Sequence, residues 1–273
     1  MYSSKMYKIF DIHTHTYPEA IAEKAVASLN VFYEFTSEGK GTYAELAENC
    51  KENGVAGMLL FSVATNPKQV QKVNDSIAAL VQKSRDDGFE TVGFMGIHQD
   101  YPDFAGEVER AAALGLRGVK LHPDIQGIDI DDNKLMALYE IIEGRMPLYM
   151  HMGDPRPKYR FSEPKKLARV LDRFPKLEVV AAHLGGYCAW DEAAVCLAGR
   201  PNVWYDTSSA LWVLTPEKAG ELIHKFGTDR VMFGTDYPVK NTAGEIDRFM
   251  KIDLTEKERE DIFYNNAKRF LKI

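Results

Sequence analysis

The residues best suited to chemistry in this chain are its seven histidines, and six of them fall at or just after the end of a short apolar run. These six are His13, His15, His98, His122, His151 and His183. If the runs are parallel barrel strands, their carboxyl ends converge on one pocket, which is where barrel enzymes place catalytic groups. The remaining histidine, His224, lies in a helical pattern, where a solvated or capping role is expected. The distribution therefore predicts one shared site.

The most closely spaced pair is His13-Thr-His15, at the end of the first run. Residues two apart on a strand point to the same face, so both imidazoles are expected to enter one pocket. Imidazole is a common neutral ligand for zinc and related cations. The pair alone is weak evidence for a metal, because a polar residue at a strand end is often satisfied by the backbone. That explanation becomes poor once His151, His183 and Asp236, which also follow apolar runs, are included.

Eight short apolar runs are available to position these residues, with amphipathic stretches between them. They cover residues 7–13, 55–63, 91–97, 118–121, 147–150, 177–182, 203–205 and 230–233. Runs that are apolar on both faces are typical of buried parallel strands, and strand–helix units of about 30 residues indicate parallel βαβ units. We therefore predict an α/β fold, a (β/α)8 TIM barrel, with residues 1–273 forming one domain. An open doubly wound sheet is the alternative, but no GxGxxG or Walker-type loop follows the first run.

Helix signals lie between the runs. Residues 68–84 carry apolar residues three and four apart, which places one apolar stripe on a helix. Ser162 is the expected N-cap of a helix with Pro164 in its first turn, and Thr255 is the expected N-cap of another.

Residues 17–44 interrupt the repeat with a long connection. This segment contains a helical patch near residues 20–29 and an aromatic run at residues 31–35. Long connections at the carboxyl face of a barrel usually shape the active site. We predict an active-site loop insertion at about residues 17–44, and a segment that only covers the barrel mouth is the alternative.

Composition narrows the possible partners and the compartment. A net charge of −6 with no long Lys or Arg run argues against nucleic acids and acidic membranes as partners. Residues 1–10 lack the apolar core of a secretory signal, and no apolar stretch reaches the ~20 residues that span a bilayer. Cys50, Cys188 and Cys196 lack CxxC spacing and are expected to be buried small residues in a reducing cytosol. We expect a cytoplasmic protein that acts on a small molecule, and a homodimer is compatible with the sequence.

The complete set of motifs resembles the amidohydrolase superfamily, in particular the amidohydrolase-related branch that includes aminocarboxymuconate-semialdehyde decarboxylase and related TIM-barrel hydrolases. The matching stretches are Phe10–His15, Gly118–Pro123, His151–Asp154, Ala182–Gly186, Phe233–Pro238 and Asn265–Leu271. They run from residue 10 to the carboxyl end, so the resemblance covers essentially the whole chain. The motifs are specific for the superfamily and much less so for the substrate.

The resemblance implies that His13, His15, His151 and Asp236 ligate one divalent metal, with His183 as a nearby catalytic base. Asp236 would share in proton transfer through its second oxygen. Zinc fits these ligands best, and Mn²⁺, Fe²⁺ or Co²⁺ would accept the same set. Such an ion acidifies a bound water, and an unligated histidine within reach can exchange its proton.

Lys120 decides between one ion and two. Lys120 and His122 alternate by two, so both are expected to face the barrel interior. In the phosphotriesterase and dihydroorotase branches a lysine on this strand is carboxylated and bridges two metals. We predict one ion, because the surrounding motifs resemble the mononuclear branch. Lys120 then anchors an anionic substrate, and a buried ion pair with Asp206 is the alternative.

Three further positions complete the candidate site. His122 is expected to line the substrate pocket or to support a ligand from behind. Arg156, followed by Lys158 and Arg160, could bind a substrate carboxylate in bidentate fashion or form part of a solvated loop. His98 has a loop-capping role as its main alternative to catalysis, and Asp206 is expected to act chiefly as a turn or capping residue.

Two reactions suit one metal site of this kind. The first prediction is hydrolysis of a C–N or C–O bond in a small, anionic substrate by a metal-activated water. The alternative is non-oxidative decarboxylation of a small unsaturated or aromatic carboxylic acid. A non-catalytic metal-binding barrel is disfavoured, because structural zinc sites usually have closed four-residue shells and do not carry an extra histidine such as His183.

Overall fold

Short parallel strands form the centre of the computed structural model, which describes residues 7–273. They are β1 (Ile9–His15), β2 (Val55–Phe61), β3 (Glu90–Gly93), β4 (Met95–Gly96), β5 (Val119–Leu121), β6 (Leu148–Met150), β7 (Val179–Ala181), β8 (Val203–Asp206) and β9 (Val231–Met232). Each neighbouring pair that the hydrogen bonds define is parallel. All eight predicted runs lie on these strands, so the predicted TIM barrel is confirmed. Residues 1–6, part of the start analysed for a signal, lie outside the described residues.

Strands β3 and β4 are the two halves of one barrel strand. β3 pairs with β2 through residues 90–93, and β4 pairs with β5 through residues 95–96. Between them, Phe94 N still donates to Leu60 O at 3.0 Å, so the chain changes partner without leaving the barrel wall. The single run predicted at residues 91–97 is therefore one strand with a bend.

Closure of the barrel joins its last strand to its first. Ile12 N donates to Phe233 O at 2.9 Å, and His15 N donates to Tyr237 O at 2.8 Å. In the other direction, Asp236 N donates to His13 O at 2.9 Å. These bonds place the exit of β9 directly beside the end of β1, which brings two predicted metal ligands from opposite ends of the chain together.

Helices surround the barrel and connect its strands. They are α1 (Glu19–Tyr33), α2 (Tyr43–Glu52), α3 (Val70–Asp86), α4 (Phe104–Ala113), α5 (Pro123–Gln126), α6 (Asn133–Ile142), α7 (Pro164–Arg173), α8 (Trp190–Cys196), α9 (Pro216–Phe226), α10 (Thr242–Met250), α11 (Glu256–Glu260) and α12 (Asn266–Leu271). Short 3-10 turns cover Pro67–Gln69 and Pro157–Tyr159, and a π-helical turn, Asp261–Asn265, joins α11 to α12. None of the helices within residues 7–273 is both long and apolar enough to cross a membrane.

Two apolar layers hold this arrangement together. The inner layer consists of alternate strand residues that fill the barrel, such as Phe10, Phe61 and Tyr149. Phe270 of α12 packs into the same layer. The outer layer contains the intervening strand residues and the inward faces of the surrounding helices. Burial on both faces explains why the strands are apolar throughout instead of alternating.

The helix signals are largely confirmed, with one correction. The stripe at residues 68–84 lies on α3, and Thr255 caps α11 in a reciprocal capping box with Glu258. Pro164 begins α7 as predicted, but Ser162 is not its N-cap: the cap is Glu163. Ser162 instead donates to Asp124 and accepts from Gly153 N at 2.8 Å, because these buried partners compete for its hydroxyl.

The cysteine prediction is correct for Cys50, which is fully buried, and wrong for Cys188, which is exposed. Cys196 is half-buried. Cys188 lies in the loop that follows β7 and has a left-handed backbone, with φ of 57°. All three thiols are free, as the absence of paired spacing indicated.

Candidate metal centre and active site

Three of the four predicted metal ligands converge where β1 and β9 leave the barrel. His13 Nε2 lies 3.2 Å from His15 Nε2 and 3.1 Å from Asp236 Oδ1, and His15 Nε2 lies 3.6 Å from the same oxygen. Bonds of ~2.0–2.2 Å to a tetrahedral ion separate its ligand atoms by about 3.3–3.6 Å. The donor set of two imidazoles and one carboxylate, and its spacing, therefore fit a divalent metal ion.

His13 is oriented through its other ring nitrogen. Its Nδ1 lies 3.0 Å from Asp206 Oδ2 and 2.8 Å from Ser208 Oγ, and Tyr149 donates to the same carboxylate oxygen. Burial alone would raise the pKa of Asp206, but the neighbouring His13 lowers it overall, so the carboxylate stays ionised. Because an ionised carboxylate only accepts, Nδ1 carries the hydrogen and Nε2 keeps its lone pair for a metal.

Asp236 is held in an unusual conformation by its surroundings. Its φ of 61° is left-handed, which is strained for a residue other than glycine. On one side, Thr235 donates from its backbone N–H and its hydroxyl to Asp11, at 3.1 and 2.7 Å. On the other side, Ser209 donates to Asp236 Oδ2 at 2.6 Å, which leaves Oδ1 facing His13.

His183 lies beside this group, at the exit of β7. Its backbone is also left-handed, with φ of 62°. Nδ1 lies 3.0 Å from both Ser208 O and Ser208 Oγ, and Nε2 lies 2.9 Å from His151 Nδ1. The His183 ring stacks on the His13 ring with centroids 5.1 Å apart. Burial lowers the pKa of His183 to about 4, although the nearby carboxylates of Asp236 and Asp206 favour its protonation.

His151 belongs to a second group of ligand atoms, with His122 and Asp124. These three buried residues offer ligand atoms within 4.8 Å of one another, whereas His151 does not join His13, His15 and Asp236 at that distance. The rings of His122 and His151 are stacked with centroids 3.8 Å apart, and His151 Nε2 lies 3.4 Å from Asp124 Oδ2. His183 connects the two groups, because it contacts both His13 and His151.

Lys120 lies inside the barrel, as the alternation predicted. It is 1% exposed, and its ammonium lies 4.6 and 4.7 Å from the ring centroids of Phe61 and Tyr149. Within residues 7–273 its Nζ has no hydrogen-bond partner, so the ion pair with Asp206 considered above does not form. Burial lowers the pKa of Lys120 to about 8.

Arg156 does not contact the histidines directly, because the Tyr33 ring lies between them. Its guanidinium pairs with the Asp154 carboxylate at 2.9 and 2.6 Å and donates to Phe32 O. It also covers the ring of Tyr33 at 5.4 Å. Arg156 therefore contacts the site through Tyr33, and its role in binding a substrate carboxylate stays a prediction.

The remaining two histidines make structural contacts, which was the alternative considered for His98 and the role expected for His224. His98 Nδ1 accepts from Asp100 N at 3.2 Å, which caps the loop after β4. His224 lies on α9 with half of its side chain exposed, and its Nδ1 lies 2.8 Å from Gly220 O.

Several residues that shape the site were missed or underrated in the sequence. Asp206 was expected to be a turn residue, yet it orients His13 and also accepts from His183 N at 3.0 Å. Tyr149, on β6, stands two residues before His151, and Ser208 stands two residues after Asp206, so spacing by two was a usable signal for both. The aromatic run at residues 31–35 was recognised as part of the predicted active-site insertion, but nothing in it distinguished Tyr33, whose hydroxyl reaches His122 from 89 residues away.

Comparison with known proteins agrees with this architecture. The amidohydrolase family pattern matches residues 10–273. A curated relative, decarboxylase orsB of Emericella nidulans, is 28% identical over 264 residues, which cover 84% of this chain and 73% of that protein.

Solved structures show the same fold. A TIM-barrel protein of Bordetella bronchiseptica has a TM-score of 0.75 at 23% identity and covers 97% of this chain and 98% of its own. A dihydroxybenzoic acid decarboxylase of Polaromonas, solved with manganese and the inhibitor 2-nitroresorcinol, has a TM-score of 0.71 at 17% identity, covering 98% and 97%. Sequence pattern and barrel agree along nearly the whole length, and the chain belongs to the amidohydrolase family.

Proposed function

We propose that this protein is a metal-dependent, non-oxidative decarboxylase of a small aromatic carboxylic acid. The observation that carries the proposal is the position of His183, whose Nε2 lies inside the site beside the candidate ligands while its Nδ1 is held by Ser208. The names of the orsB relative and of the Polaromonas enzyme support decarboxylation over hydrolysis, which the motifs alone had placed first.

His13, His15 and Asp236 would hold the metal, with His151 as the predicted fourth ligand. When bound, a divalent ion would fix substrate oxygens and withdraw electron density from the ring. Zinc was the first expectation from the ligand types, and the manganese in the Polaromonas enzyme makes Mn²⁺ an equally direct candidate to test.

His183 would deliver the proton that replaces the carboxylate on the ring. Loss of CO2 leaves the electrons of the broken C–C bond on the ring carbon, which must receive one proton. The Ser208 contacts prevent the imidazole from rotating, so Nε2 is the nitrogen available to hold that proton and deliver it. Asp206 and Asp236 provide negative charge that favours the protonated ring at that moment.

The surroundings suit an aromatic acid. Phe61 contacts the rings of His13 and His15 edge-on, with centroids 5.1 and 4.8 Å apart. The buried ammonium of Lys120 lies against the same Phe61 ring and would attract a carboxylate. An apolar wall beside a cation and a metal would bind a flat, anionic ring.

Incubation of the metal-loaded protein with a panel of benzoic and hydroxybenzoic acids in D2O tests the proposal. We expect CO2 release and one deuterium at the carbon that carried the carboxylate. A parallel panel of small amides, esters and lactones in H2¹⁸O tests hydrolysis. Turnover of the second panel with ¹⁸O in the product, and none of the first, would replace decarboxylation by hydrolysis.

A further inference from the structure

The Tyr33 hydroxyl bridges the Nε2 atoms of two stacked histidines of the site, His122 and His151. It lies 2.7 Å from His122 Nε2 and 3.3 Å from His151 Nε2, and the two imidazoles stack with centroids 3.8 Å apart. Both nitrogens therefore point at one oxygen. His122 Nδ1 accepts from Ile125 N at 3.4 Å, so the hydrogen of a neutral His122 ring is on Nε2 and is donated to that oxygen.

Tyr33 is the last residue of α1, in the segment that interrupts the barrel repeat. The chain reverses at Glu34, whose φ of 59° is left-handed, and the ring of Phe35 then stacks on Tyr33 with centroids 5.5 Å apart and 8° between the planes. The segment therefore brings a phenol into the site from outside the barrel.

A clamp from the loop after β6 holds this segment in place. Arg156 is fixed by the Asp154 carboxylate, and its guanidinium donates to Phe32 O and covers the Tyr33 ring at 5.4 Å. Tyr159 adds an aromatic contact to Phe32, with centroids 4.6 Å apart. These contacts hold the segment from the loop side, whereas the Tyr33 hydroxyl bonds to His122 and His151, and a substrate oxygen that binds both histidines would replace those two bonds.

We propose that Tyr33 is a specificity-determining residue: it forms a displaceable wall of the substrate pocket, and an oxygen of the substrate replaces its hydroxyl between His122 and His151. This inference rests on the proposed function for the identity of the ligand as an aromatic acid. The position of Tyr33 itself rests only on the contacts described. The size of the pocket, and so the range of rings accepted, then depends on how far Tyr33 moves.

Chemical labelling of histidines tests the wall without any turnover. Diethylpyrocarbonate acylates accessible neutral imidazoles, and peptide mapping of the metal-free protein reports each histidine separately. Tyr33→Ala should raise the labelling rate of His122 about tenfold or more, because the hydrogen bond between Tyr33 and His122 and the ring that covers His122 are both gone. His224, half exposed on α9, is the internal reference and should not change. Equal His122 rates in wild type and Tyr33→Ala would overturn the proposal.

Two milder variants separate this effect from unfolding. Tyr33→Phe keeps the ring and loses only the hydroxyl, and Arg156→Lys loses the bidentate clamp. Each should raise His122 labelling relative to buried His183. Arg160→Lys is the matched control on the same loop, since Arg160 is half exposed and pairs with Glu163. If Tyr33→Ala exposes every histidine and neither milder variant favours His122, the wall does not exist.

Substrate preference tests the second half of the proposal. Tyr33→Ala should raise the ratio of kcat/KM for a hydroxynaphthoic acid over a hydroxybenzoic acid by about tenfold or more, as expected for added pocket volume. An unchanged ratio in an active variant would show that Tyr33 does not set specificity. If the wild type releases CO2 from no acid, the proposed function fails, while the labelling result still decides whether Tyr33 closes the pocket.

Discussion

Asp206 Oδ2 lies 3.0 Å from His13 Nδ1, and through this contact a residue of β8 fixes which nitrogen of a β1 histidine faces the candidate metal. The pair is fully buried, and the same carboxylate also accepts from Ser208 Oγ at 2.6 Å and from His183 N at 3.0 Å. One carboxylate therefore positions a metal ligand and the proposed proton carrier together.

Asp206→Asn should weaken metal binding. The amide can present its NH2 group to His13 Nδ1, which would favour the wrong tautomer, and loss of such supporting carboxylates typically costs about 10–100-fold in metal affinity. Competition with a metal-binding dye would measure the change for Mn²⁺ and Zn²⁺. Asp131→Asn, which alters an exposed pair with Arg169, is the matched control. Unchanged affinity in Asp206→Asn would mean that His13 is not oriented through Asp206.

His183→Asn should separate catalysis from metal binding. Removing a positioned proton carrier typically lowers kcat by about 10²–10⁴-fold. Metal content should stay at the wild-type level, because His183 is assigned to the proton and not to the ion. Steady-state kinetics and metal analysis of the same preparation provide both values. A preparation that loses its metal along with its activity would instead make His183 a ligand.

Alternation along a strand was sufficient to place part of the site. Lys120 on β5, His122 just after it, His151 just after β6 and Asp206 on β8 all follow the inward positions that a period of two predicts. Their convergence could be predicted because parallel strands end at the same rim of a barrel.

Local departures from alternation position the other residues. Phe10 and Ile12 occupy inward positions on β1, so strict alternation would turn His13 away from the barrel interior. The pairing of β1 with β2 shifts register between Asp11 and Thr14. This shift turns the His13 ring toward Phe61, which lies inside the barrel. His183 follows the inward Ala182 and reaches the site only through its left-handed backbone. Neither change has a signature in a single sequence, because each depends on contacts with distant strands.

Lys120→Met should stabilise the protein and impair substrate binding. The buried ammonium has no hydrogen-bond partner among residues 7–273, so its replacement by an apolar side chain of similar length should gain about 1–3 kcal/mol in the free energy of unfolding. Loss of the positive charge should raise KM for an anionic substrate. Urea unfolding of metal-free protein and steady-state kinetics measure the two effects.

Lys83→Met, at an exposed position on α3 that pairs with Asp87, is the control for charge removal alone. A less stable Lys120→Met would imply that Lys120 has a compensating partner in solution, such as the carboxylation considered for two-metal relatives.

Glu245, which lies on α10 outside the candidate active site, is expected to lower the stability of the protein as the pH rises. Its side chain on α10 is fully buried, Oε1 accepts from Arg248 at 2.7 Å, and Oε2 has no partner in the part of the chain that the structure describes. Burial raises the pKa of Glu245 from 4.5 to about 7, although Arg248 opposes the shift. Between these two values the folded protein binds more protons at this site than the unfolded chain, so the free energy of unfolding decreases as pH rises from about 4.5 through 7.

Glu245→Gln should remove this dependence. The amide keeps the shape of the protonated acid, so the variant should match wild type near pH 5 and exceed it above pH 7 by about 1–3 kcal/mol. Urea unfolding of both proteins at a series of pH values measures the difference directly. Glu221→Gln, at an exposed site on α9 that pairs with Lys218, is the matched control and should show no such trend. A difference between Glu245→Gln and wild type that is the same at pH 5 and pH 8 would contradict the explanation, because only ionisation of the buried carboxyl makes it depend on pH.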